Sequence, residues 1–150
     1  MGCGPSMPKD MRVENAKTPE ELAKALDEFV KSVEKEIKEI KDKKFVGKDL
    51  TIPHLKEFNV EQLTKRVPYL EKLKESFVSL AKGIRMCNAN SPLNTMKEAI
   101  QKEMYHYVHI YDDTNSFKEE EKNVVAAIEP NVQPSNKLNF QKLKEALDKP

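Results

Sequence analysis

Apolar residues recur at steps of three and four along most of this chain, with charged residues between them, the spacing of α-helices that each bury one face. Leu22, Leu26, Phe29, Val33, Ile37 and Ile40 form the first such stripe and predict a helix from Thr18 to about Lys43. Its start is marked three times over. Thr18 can cap, Pro19 suits the first helical position because it has no N–H to leave unpaired, and Glu21 completes a capping box. The opposite face is Lys and Glu, where pairs such as Glu34 with Lys38 and Glu39 with Lys43 support a solvated helix surface rather than a binding site.

From 45 to 58 the apolar residues lose helical spacing: Phe45, Val46, Leu50, Ile52, Leu55 and Phe58, broken by Gly47 and Pro53, predict a packed crossover. A short helix capped by Asn59 follows, with Gln62 in the capping-box position, Phe58 stapled against Leu63, and Pro68 ending or kinking it. From Pro68 a longer helix carries Leu70, Leu73, Phe77, Leu80, Ala81, Ile84 and Cys87 on one face, which makes Cys87 a core residue. Ser91-Pro92 opens the next helix, with a stripe of Leu93, Met96, Ile100, Met104, Tyr107 and Tyr111 ending near Asp112-Asp113. Ser116 and Glu119 box another, with Phe117, Val124, Val125 and Ile128, stopped by Pro130. A linker from Glu129 to Lys137 leads to a last helix capped by Asn139, with Leu138 stapled to Leu143 and Leu147 continuing the stripe.

These elements predict an all-α fold, an antiparallel helical bundle of four main helices plus two short ones, with residues 18–150 as a single domain. Ahead of it, residues 1–17 lack any apolar period and are expected to form a flexible tether, spanning roughly 20 Å as coil. Removing them is expected to leave the folding of the body unchanged.

Composition narrows the function classes. The chain is 34% charged, but its 26 basic and 25 acidic residues are interspersed and leave a net charge of +1, so no field exists to hold nucleic acid. No apolar run approaches the ~18 residues of a membrane span. Two cysteines cannot build a disulfide framework, and a reducing cytosol suits them.

One stretch has the flavour of catalytic chemistry. Glu103-Met104-Tyr105-His106-Tyr107-Val108-His109-Ile110-Tyr111-Asp112-Asp113 holds Glu-x-x-His and two histidines three apart, a spacing that permits metal ligation. A di-iron bundle needs two Glu-x-x-His helices and two further inward glutamates, and this chain has one such motif. A helical wheel puts His109 opposite the core stripe and His106 about 120° from it. The stretch is therefore read as a charged outer helix face, with no metal and no cofactor. Nucleotide-binding and nucleophile-elbow signatures do not occur either.

The remaining signal is at the start. Met1-Gly2-Cys3-Gly4-Pro5-Ser6 fits M-G-x-x-x-[ST]: Gly2 offers the α-amine that is acylated once Met1 is removed, and Ser6 is the small hydroxyl residue the pattern asks for. Cys3 offers a thiol for a second, thioester-linked chain, needed because one myristoyl group binds membranes with only about 10⁴ M⁻¹. These six residues resemble the dual-acylation start of Src-family kinases and G-protein α subunits. The resemblance implies a eukaryotic protein held on the cytosolic face of a membrane by myristate and palmitate. The expected function is a non-catalytic adaptor or scaffold that concentrates a protein partner there. A helical regulator or inhibitor that binds an enzyme directly is the alternative, and an enzyme with a metal site at Glu103, His106 and His109 is third.

Overall fold

The computed structural model describes residues 10–43, 60–108 and 117–148, the side chains of 43, 60 and 106–108 excepted. Six α-helices fill them: α1 (Met11–Asn15), α2 (Pro19–Lys43), α3 (Val60–Arg85), α4 (Asn94–Val108), α5 (Lys118–Ile128) and α6 (Lys137–Asp148). Among the described residues there is no strand beyond one isolated bridge, Cys87 with Val132. The fold is all-α.

Helix α2 begins as its sequence dictates. The Thr18 hydroxyl accepts the Glu21 N–H at 3.1 Å, and the Glu21 carboxylate accepts the Lys17 N–H at 2.9 Å, so two otherwise orphaned donors are satisfied. Its whole predicted stripe, Leu22 to Ile40, is buried. The partner is α3, running the opposite way: Lys41 pairs with Glu71, Glu34 with Lys74, and Glu20 and Asp27 with Arg85. Glu34 thus reaches across to α3, and Lys38 pairs forward with Asp42 rather than back with Glu34.

Where two helices were expected around Pro68, α3 is continuous through it. Proline lacks the N–H for the i→i−4 ladder and costs about 3 kcal/mol in a helix interior. The helix persists because Pro68 sits on the exposed face while Leu63, Arg66, Tyr69, Leu70 and Leu73 around it are buried. Tertiary burial outweighs the local penalty.

Helices α5 and α3 run in parallel, with Tyr69 edge-on to Phe117 at 6.2 Å near one end and Gly83 facing Ile128 near the other. At Gly83 the helices come close. A Cβ built there would lie 3.1 Å from the Phe140 ring of α6, so glycine is what lets α6 seat. Helix α6 packs antiparallel to α5: Lys144 meets Glu129, and Lys118 donates to the Leu147 carbonyl. Between them the expected linker is two 3-10 turns, Glu129–Asn131 and Pro134–Asn136, tied to the end of α3 by Asn88 N–H to the Asn131 carbonyl and Gln133 N–H to the Met86 carbonyl, both 2.9 Å.

Two expected helix starts differ. Ser91 does not open α4, which begins three residues later. Its N–H and hydroxyl both donate to the Asn88 carbonyl, which closes the turn after α3 instead. Asn139 lies inside α6 rather than capping it, and Leu138 is 69% exposed, so no staple to Leu143 forms; Phe140 is the side chain that docks. At α5 the described N-cap is Phe117, which is buried; Ser116 lies outside the described residues, as do the 45–58 crossover, the Asn59 cap and the expected end of α4.

The largest departure is at the N-terminus. Met11–Asn15 is helical, capped by Asp10, whose carboxylate accepts from the Arg12 and Val13 N–H groups. Val13 is fully buried and Ala16 nearly so, and both belong to the main core. Helix α1 also clips antiparallel onto α4: Asp10 and Gln101 exchange two hydrogen bonds, and Lys97 donates to the Glu14 carbonyl at 2.8 Å. The expected tether therefore ends by Asp10. One turn of helix carries too few apolar residues to show a period, so only tertiary contacts reveal it.

Deleting residues 1–17 should therefore destabilise the body, where the sequence alone predicts no change. Burial of Val13 alone contributes about 1.5 kcal/mol or more, so the midpoint of thermal unfolding should fall by several degrees against a chain that starts at Asp10. Equal midpoints for the two truncations would show that α1 adds nothing.

Candidate functional site

The acylation candidates Gly2, Cys3 and Ser6 lie outside the described residues, as do His109 and the side chain of His106. Of the proposed metal set only Glu103 is described. It is not on an outer face. Met96, Ala99, Ile100 and Met104 fill the buried stripe of α4, and Glu103, three residues past Ile100, falls on the same stripe with no exposure at all.

Two buried polar clusters result. In the first, the Ser76 hydroxyl of α3 donates to Glu103 Oε2 at 2.6 Å, and Glu121 of α5, also buried, accepts from Lys118 at 3.4 Å. Burial drives the Glu103 carboxyl well above the ordinary range. The Ser76 hydrogen bond opposes this, and the charges of Glu121 and Glu120 push the same way as burial. Glu103 Oε1 and Glu121 Oε2 have no hydrogen-bond partner among the described residues.

The second cluster joins α2 to α3. Arg66 Nε and Glu36 Oε2 form a fully buried ion pair at 2.6 Å, the guanidinium lies 5.9 Å from the Tyr69 ring centre, and Tyr69 leads on to Phe117. Buried ions are tolerated only when paired this closely.

Cys87 is core, as its stripe predicts. Its thiol contacts the Gly83 and Ile128 carbonyls, and burial pushes it up to about 11, the opposite of the lowered value a nucleophile needs. The described surface has a small cleft of about 190 Å³ between α5 and α6, floored by Val125, Ala126 and Leu147 and reached by Glu121. Among the described residues no three His, Cys, Asp or Glu side chains converge to hold a metal ion, and no helix is long and apolar enough to cross a membrane.

No family model, curated protein or solved structure matches the chain significantly. Function must therefore be argued from the residues themselves.

Sequence reading missed Ser76, Glu103 and Glu121 as a group. The signal was available: each sits at a helical step from buried neighbours, Ser76 between Leu73 and Leu80, Glu103 beside Ile100, and Glu121 between Phe117 and Val124. A polar residue on an inward stripe predicts a buried partner, though not which one.

Proposed function

We propose that this protein is a membrane-anchored, non-catalytic helical adaptor, held on a cytosolic membrane face by myristate on Gly2 and palmitate on Cys3. The observation that carries the reading is the Met1-Gly2-Cys3-Gly4-Pro5-Ser6 start. Two features of the body suit it. Glu103, whose acidity burial shifts upward, has no exposure and offers nothing to a substrate, which fits a body that presents surface rather than a reactive pocket. The clip between Asp10 and Gln101 fixes the point from which the acylated segment leaves the body. From there to Gly2 the chain reaches at most about 30 Å, so the lipid would hold the α1–α4 side toward the headgroups. A protein partner would then be met by the surfaces turned away from the membrane.

The test is fractionation of the full chain in a myristoylating host. Gly2→Ala should release the protein from membranes, because the first acyl chain is what brings Cys3 to its modifying enzyme. Cys3→Ser should leave a leaky, exchanging membrane pool, since a single chain binds reversibly. Membrane association of both variants equal to the parent's would refute the reading.

A further inference from the structure

Four large apolar side chains are exposed among the described residues: Met11, Val78, Tyr105 and Leu138. Single apolar residues on a surface are ordinary, so exposure alone singles out none of them. Position does. Met11 is the first residue of α1 and is 61% exposed. The seam that seats α1 places the second: Asp10 is held by Gln101, and Glu14, one turn later in α1, is met by Lys97, one turn earlier in α4. Along α4 in the other direction, Tyr105 stands one turn beyond Gln101 on the same face. It therefore lies toward the end of α1 at which the chain from Gly2 enters the body, and it is 44% exposed. Two of the four exposed apolar side chains thus stand at that entry.

The charges around them largely cancel. Over residues 10–17 and the surface positions of α4 up to Tyr105, the cations Arg12, Lys17, Lys97 and Lys102 meet the acids Asp10, Glu14 and Glu98, four against three. Arg12 pairs with Asp10 at 3.2 Å and Lys102 with Glu98 at 3.5 Å. Such a face has little to offer a highly charged partner. What it presents is a flexible thioether, which fills irregular apolar space, and an aromatic ring with a polar tip, which settles where hydrocarbon meets water.

We propose that the α1–α4 face docks on the lipid surface, with Met11 and Tyr105 entering the membrane interface beside the acylated terminus. The inference rests on the anchored reading above and adds to it an orientation and two contact residues. Asp10 is eight residues past Gly2, a reach of at most about 30 Å, so an anchored body never leaves the neighbourhood of the headgroups. The second contact is then intramolecular. Two side chains too few to bind a membrane from solution suffice to orient a body already held there. Because the charges of the face are mostly paired, the contact is indifferent to anionic lipid and to salt.

The experiment supplies a tether that does not depend on acylation. The full chain with Cys3→Ser and an N-terminal hexahistidine tag is held on phosphatidylcholine vesicles that carry a nickel-chelating lipid, and a polarity-sensitive fluorophore is placed on Met11→Cys; Cys87 is buried and is not labelled. The fluorophore should shift to the blue and be quenched by spin-labelled acyl chains, and one on Tyr105→Cys should respond likewise. One on Leu138→Cys, more exposed than either but on α6, which packs on α3 and α5, should stay in water. Labels at 11 and 105 that stay in water, or a label at 138 that responds equally, overturn the proposal. In the N-myristoylated chain carrying Cys3→Ser, Met11→Ser with Tyr105→Ser should weaken partition onto phosphatidylcholine vesicles about tenfold, the equivalent of one partly buried apolar side chain. An unchanged partition overturns the proposal. So does a partition that needs anionic lipid and disappears at high salt, which would make Arg12, Lys17 and Lys102 the contact. The fluorophore result stands whatever Gly2→Ala shows, since the nickel tether does not need Gly2, so docking and acylation fail separately.

Discussion

Arg66→Ala should lower the free energy of unfolding by about 3 to 5 kcal/mol, the largest loss expected from any single charged residue in the molecule. The reason is the carboxylate left behind. Glu36 is fully buried, and its Oε2 lies 2.6 Å from Arg66 Nε, so removing the guanidinium takes this ion pair away from a carboxylate that stays in the core. The pair itself need not be strongly stabilising, because bringing two ions out of water offsets most of their attraction. Replacing both partners together, Glu36→Leu with Arg66→Met, should therefore return stability close to that of the parent. Urea unfolding of the two variants checks both halves of the argument. If Arg66→Ala costs less than about 1 kcal/mol, the pair is not desolvated in solution and the α2–α3 contact has been misplaced.

Phe77→Ala should cost a similar amount, about 3 to 5 kcal/mol, through a different mechanism. Phe77 has no exposed surface, and its ring meets Phe29 of α2 at 4.8 Å between centroids with a 60° interplanar angle. Truncation removes the transfer free energy of the ring and leaves a cavity that rigid helices cannot close. The edge-on geometry adds its own increment, so a double-mutant cycle with Phe29→Ala should leave a coupling of about 0.5 to 1.5 kcal/mol. A loss below about 1 kcal/mol for Phe77→Ala would mean that the stripes of α2 and α3 do not face each other.

How far the fold was legible depends on the range of the information. The stripes of α2 and of the later part of α3 were readable residue by residue, because a helix buried on one side must repeat its apolar positions every three to four residues. The cap at Thr18 was readable for the same reason, its partner Glu21 lying within one turn. Pro68 misled because its local penalty is real but smaller than the burial on either side of it. Leu138 misled in the other direction, since a staple pattern is present but α6 docks through Phe140 in the space left by Gly83. For the candidate site, Glu103 was singled out for its neighbour His106, whereas its hydrogen-bond partner Ser76 lies on another helix.

The sequence by itself determined that the fold is all-α and that the apolar stripes of α2 and of the later part of α3 turn inward, because both follow from local periodicity and capping. Only the tertiary structure decided what those faces meet. That Glu36 finds Arg66, that Glu103 finds Ser76, and that five residues after Asp10 form a docked helix are matters of register between elements far apart in the chain. A periodic pattern specifies the direction a side chain points along its own helix. The partner it reaches is set by how the helices pack against each other.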